Sequence, residues 1–162
     1  MTQGSGNTQE ASGAAREMQM LADLDAPDET IRAQAAVALA RSGSPRALEA
    51  CLRTIADAPE PTHAYSTPAG WALVAMGRSA LPGVIDCLIS ENPRSSLCAE
   101  FVLMQITKRQ FGFDGHEWQA PGYEIWARWW QDIGYRHDAP PGERDRAADR
   151  ARKACAALPP PA

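Results

Sequence analysis

The chain of 162 residues lacks most of the patterns by which enzymes, membrane proteins and nucleic-acid binders are recognised. It has no Gly-rich phosphate loop and no nucleophile set beside a base, so no catalytic site and no cofactor are expected. Its three histidines are scattered, and His63 has no partner at metal-ligand spacing. The four cysteines, Cys51, Cys87, Cys98 and Cys155, form no CxxC pair. The first three fall on the apolar faces of expected helices and read as small buried hydrophobes in a reducing compartment. No apolar run approaches the ~20 residues of a membrane span. The opening "MTQGSGNTQEASGAA" has no basic end followed by an apolar core, so no secretory signal is expected and the expected location is cytoplasmic. A basic excess is missing too. Net charge is −4, with 10 basic against 15 acidic residues between Ala15 and Tyr135. Phosphate binding wants a basic stripe, so nucleic acid is not the expected partner.

Helical hairpins are what is present. In "PDETIRAQAAVALARSGSPRALEACLRTIAD", Asp28 is placed to cap a helix and Glu29 suits its positive end. Ile31, Ala35, Ala38, Leu39 and Ser42 recur at helical spacing, with Arg32, Gln34 and Arg41 turned away. Gly43 can adopt the left-handed conformation that ends the helix. Ser44 and Pro45 then predict a second helix with Leu48, Cys51, Leu52 and Ile55 on one side.

A second unit follows in "AGWALVAMGRSALPGVIDCLISEN". Leu39 and Gly43 recur as Leu73 and Gly77 at a spacing of 34, and Cys51 and Leu52 as Cys87 and Leu88 at 36. The difference of two is expected in the turn between the helices. Pro68 either begins its helix late, with Thr67 as cap, or kinks it. Periods of this size with two helices per unit are the signature of α-solenoids.

The Asp-x-x-Ile-Arg start and Ala-Ala-x-Ala-Leu heart of the first unit resemble the HEAT-like repeat family, in the short bacterial form first described in phycobilisome lyases. "GRSALPGVIDCL" and "LMQITKRQFGFDGHEW…WARWW" extend the resemblance over Met18 to Ile133. It implies an all-α fold, a short α-solenoid (α–α superhelix, armadillo-type) of helical hairpins with N- and C-terminal capping helices. The second unit departs from the pattern, since "PTHAYSTPAG" lacks the Asp and Arg of the first.

Three regions are expected: a disordered leader 1–13, the repeat domain 14–135, and a charged Ala/Pro-rich tail 136–162, mostly disordered. A cap helix is expected from Ala14 to Leu24, and a third unit from a Ser95 or Ser96 cap through Leu97, Cys98, Phe101, Leu103, Met104 and Ile106. The resemblance implies that the loop after it folds beneath the last helix, with Phe111, Phe113 and Trp118 placed to do so; spacings of three and four put Tyr123, Trp126, Trp130 and Ile133 on one face of that helix. Asp114, His116 and Glu117 could be drawn as an acid–base cluster, but a single His on a Gly-flanked loop is not read as catalytic.

The expected function is a non-catalytic protein-binding scaffold or adaptor, with its concave surface on the second helix of each hairpin. Arg46, Glu49, Arg53, Asp86 and Glu91 are the candidate partner-binding residues there, with Trp129 on the aromatic helix. The expected partner is another protein, and the chain itself a monomer or weak homo-oligomer. The alternatives are a phycobilin-lyase-like chromophore-handling protein, which the resemblance alone suggests, and a small subunit of a larger assembly.

Overall fold

The computed structural model describes residues 6–113 and 119–158, with side chains from Ser12 onward within those ranges. Asp114, His116, Glu117 and Trp118 lie outside the described residues. The fold is all-α. In chain order it comprises α1 (Gly6–Asp23), α2 (Glu29–Arg41), α3 (Ala47–Arg53), α4 (Pro68–Met76), a 3-10 turn (Gly77–Ala80), α5 (Leu81–Leu88), α6 (Pro93–Gln110), α7 (Tyr123–Ile133) and α8 (Pro141–Ala156). Among the described residues the only extended pairing is an isolated bridge between Glu60 and His63.

Local chemistry sets the helix ends. The Asp28 carboxylate accepts from the Thr30 amide at 2.7 Å and caps α2. At the other end Gly43, at φ +71°, lets its own amide reach the Ala40 carbonyl and the Ser44 amide reach Leu39. Thr67 caps α4 by accepting from the Gly70 amide, with Pro68 at the first position, so this helix starts late and is not kinked. Two expected starts shift. α3 begins at Ala47 and not at Pro45, because residues 44–46 form a turn in which the Ser44 hydroxyl serves Arg46 and Glu17. α6 begins at Pro93, capped by Asn92, whose side chain accepts from the Arg94 amide; Ser96 is buried inside the helix instead.

α2 packs against α1, α3 and α4; α4 also meets α3 and α6; and α5 meets α3, α6 and α8. Burial repeats along this series with a constant offset of 34. In the first helices of the two hairpins it pairs Ala33 with Thr67, Ala35 with Ala69, Ala36 with Gly70 and Leu39 with Leu73. In the second helices it pairs Ala47 with Leu81, Ala50 with Val84, Cys51 with Ile85 and Thr54 with Leu88. The equivalence of Cys51 with Cys87 is therefore corrected. Cys87 is only half-buried, Ile85 occupies the position of Cys51, and the turn absorbs no insertion. The inward face of α2 also differs from its expected composition. Ile31 is exposed while Ala33 and Ala36 are buried, because α2 is enclosed by three helices and alanine fits the close approaches.

Pro68–Leu88 is 21 residues long and apolar enough by composition to cross a membrane, which a search for unbroken apolar runs does not anticipate. Here Gly77, at φ +63°, ends α4, and the chain passes through the 3-10 turn into α5. Leu73, Val74, Leu81, Val84, Ile85 and Leu88 from this segment lie in the core.

Both flanks are more helical than expected. α1 begins at Gly6, within the segment read as a leader. The segment read as a disordered tail contains α8, whose Ala147, Ala148, Ala151 and Cys155 are buried in the main core, followed by Leu158. Its apolar face is built from alanine, which the surrounding charges hide in a sequence reading. Side chains fasten the surrounding links: the Tyr135 hydroxyl donates to the Leu88 carbonyl at 2.7 Å, Arg144 to that of Ser90 and Arg150 to that of Ile133.

Candidate interaction surfaces

α3 presents Arg46, Glu49 and Arg53 together around a small cavity of about 170 Å³, closed on its far side by Leu21, Leu24 and Asp25. Each charge already has a partner within the chain. Arg46 pairs with Glu49 at 3.2 Å, and Arg53 donates to the Asp25 carboxylate.

Asp86 stands apart from that group. It lines a cavity of about 520 Å³ between α5 and α8, with Arg78, Leu81, Pro82, Ile85, Arg152 and Cys155. Arg152 bonds it at 2.9 Å and also bonds Asp149, so a residue expected in a solvated tail closes this site. Glu91 is exposed in the link between α5 and α6. Burial holds the Cys155 thiol up at about 11, against an ordinary 9.0, so the thiol in this cavity is neutral and unreactive near neutral pH.

Trp129 is half-buried on α7, 5.8 Å from the Phe111 ring and beside Trp130. It borders a cavity of about 390 Å³ with Asp132, Ile133, Arg150 and Lys153. Trp126 is buried and donates from Nε1 to the Thr107 hydroxyl at 3.1 Å, while the Lys108 ammonium lies 5.0 Å from its ring centre. The large apolar side chain that α7 exposes is Ile125, not a tryptophan.

A further surface escaped the sequence reading. Two adjoining cavities, of about 440 and 550 Å³, share Val37, Arg41 and Pro68 and run between the outer faces of α2 and α4, reaching Met20 on α1. The walls come from equivalent positions of the two hairpins at the offset of 34: Gln34 and Pro68, Val37 and Trp71, Ala38 and Ala72, Arg41 and Ala75, Ser42 and Met76. Trp71 is 43% exposed. Its indole N–H donates to the Ser66 hydroxyl at 3.0 Å, Ser66 donates to Glu60 at 2.8 Å, and its ring meets the Phe101 ring edge-on at 5.3 Å. The link between α3 and α4 thus holds Trp71 in one orientation, its polar group satisfied and its side chain still partly exposed. Only the packing of α2 beside α4 shows that these residues share one groove.

Among the described residues no group of three or more His, Cys, Asp or Glu side chains is placed to hold a metal ion. Compared with known proteins, the chain matches no family model, no curated protein and no solved structure.

Proposed function

We propose that the chain is a non-catalytic protein-binding scaffold, built as a short solenoid of HEAT-like hairpins with α1 at one end and α7 and α8 at the other. The constant offset of 34 in burial supports the architecture, since stacked repeats bury equivalent positions against one another. The observation that carries the function is the groove between α2 and α4, where repetition aligns equivalent exposed positions and Trp71 is held ready for contact. An exposed tryptophan fixed before binding loses little rotamer freedom on contact, and such residues dominate protein interfaces. The polar face of α3 supports binding less well, because a partner there would have to compete with the pairs Arg46–Glu49 and Arg53–Asp25.

A photo-crosslinking amino acid placed at Ala75 or Val37, and separately at Glu124 on α7 as a control, tests the reading in cells that express the chain. A protein crosslinked from both groove positions and absent from the control is expected. Crosslinks of the same intensity and identity from all three positions, or none from the groove, would count against it.

A further inference from the structure

The walls of the groove define the occupant by what they can and cannot bond. They are helix surfaces, so their backbone N–H and C=O groups are used within α2 and α4. An extended peptide lying there would bury backbone groups with almost nothing to pair with, since among the described residues Gln34 and Ser42 are the only uncharged polar ones lining either cavity. A helix satisfies its own backbone and presents only side chains. The small side chains of Ala38, Ala40, Ala72 and Ala75 give its ridges somewhere to sit. Along α4 the stripe Pro68, Trp71, Ala72, Ala75, Met76 spans about 12 Å, the length of two helical turns.

Charge then separates a foreign helix from a second copy. Among the described residues Arg41 is the one charged residue lining either cavity, and no acid of theirs forms an ion pair with it. By contrast Arg46, Arg53 and Arg152 all have carboxylate partners. Two copies docked through this face would bring arginine to a groove that already holds arginine and no acid. A helix carrying a carboxylate meets it with complementary charge.

We infer that the groove between α2 and α4 receives an amphipathic helix of two to three turns from another protein, with apolar anchors packed on Trp71, Val37 and Met76 and an Asp or Glu set against Arg41. The inference rests on the protein-binding reading and adds the chemistry of the partner.

The test is selection from a phage-displayed library of random 16-residue peptides on the intact chain, repeated on the Trp71→Ala, Ala75→Glu and Arg41→Glu variants. These positions are exposed or at the groove surface, and circular dichroism melts of each variant verify the fold. Peptides enriched by the parent should carry apolar residues at i, i+3 or i+4, and i+7 together with an acidic residue. They should bind Trp71→Ala and Ala75→Glu at least tenfold more weakly, and Arg41→Glu should select Lys or Arg in place of the acid. Enriched peptides that are Pro-rich or extended, or that bind all three variants as well as the parent, would overturn the inference and leave a protein-binding role at another surface. Failure of the parent to enrich any peptide would count against both. A parent that dimerises in sedimentation while Trp71→Ala stays monomeric would replace the foreign helix with a second copy.

Discussion

Arginine ties helix ends together in this molecule, and 14 of the 16 basic residues are arginine. Arg32 bonds both oxygens of Asp57, at 2.8 and 3.0 Å, and also donates to the carbonyls of Ala26 and Pro27. Hydrogen bonding to Asp57 raises the guanidinium pKa above its ordinary value. A lysine cannot make this fork, so Arg32→Lys should recover little of the stability that Arg32→Ala loses. Urea midpoints of the two variants, with unchanged slopes, check this; a lysine variant as stable as the parent would contradict it. Burial raises the thiols of Cys51, Cys87, Cys98 and Cys155 to about 11 from an ordinary 9.0, and that of the Tyr135 hydroxyl to about 12 from 10.0. Folding therefore favours the neutral forms. Their contribution is complete below pH 9 and is lost as pH rises, from about 9 to about 11 for the thiols and from about 10 to about 12 for Tyr135, where the unfolded chain ionises first. The urea midpoint should fall across that window. At pH 8 the native thiols should react slowly with a disulfide reagent, and all four promptly once the chain is unfolded.

At the scale of the elements, sequence and structure agree where a residue type has one strong local role. Asp28 as a cap, Gly43 as a stop and Thr67 before Pro68 are such cases, because a side-chain oxygen or a left-handed backbone acts on its nearest neighbours. Gly43→Ala should cost about 1 kcal/mol in urea unfolding, the usual penalty for a Cβ at positive φ. Legibility fails where alanine makes the face. In α2 nearly every side is Ala, so the choice of Ala33 and Ala36 over Ile31 as the inward face is decided by three packed neighbours. In α8 the series Ala147, Ala148, Ala151, Cys155 carries too little hydrophobicity to stand out among charges, yet it is buried against the main core. The equivalence of Cys51 and Cys87 fails for a different reason: identity of residue type is a weaker guide to equivalent positions than periodicity of burial. Ala148→Glu puts a carboxylate with no provided partner at a fully buried position and should destabilise the fold by about 2–4 kcal/mol. Asp149→Glu, at the neighbouring exposed position, should change the urea midpoint little; equal effects would show that α8 does not belong to the core.

At the scale of the whole molecule, the offset of 34 between α2–α3 and α4–α5 does two things at once. It buries equivalent residues against neighbouring helices and lines up equivalent exposed residues into a shared surface. On the α3 side the exposed residues are charged and already paired within the chain, Arg46 with Glu49 and Arg53 with Asp25. On the α2–α4 side they are apolar, with Trp71 braced by Ser66 and Phe101 and Arg41 without an acidic partner among the described residues. That asymmetry is why the groove, and not the polar face that the hairpin pattern first suggests, is the surface proposed for a partner. The most direct measurement is a 15N-resolved NMR titration of the intact chain with the peptide it selects most strongly. The Trp71 indole N–H resonance should shift, along with the amides of Gln34–Ser42 and Pro68–Met76 that carry an N–H, while those of Ala47–Arg53 stay in place. Shifts centred on Ala47–Arg53 or on Tyr123–Ile133, with the Trp71 indole unmoved, would contradict the account.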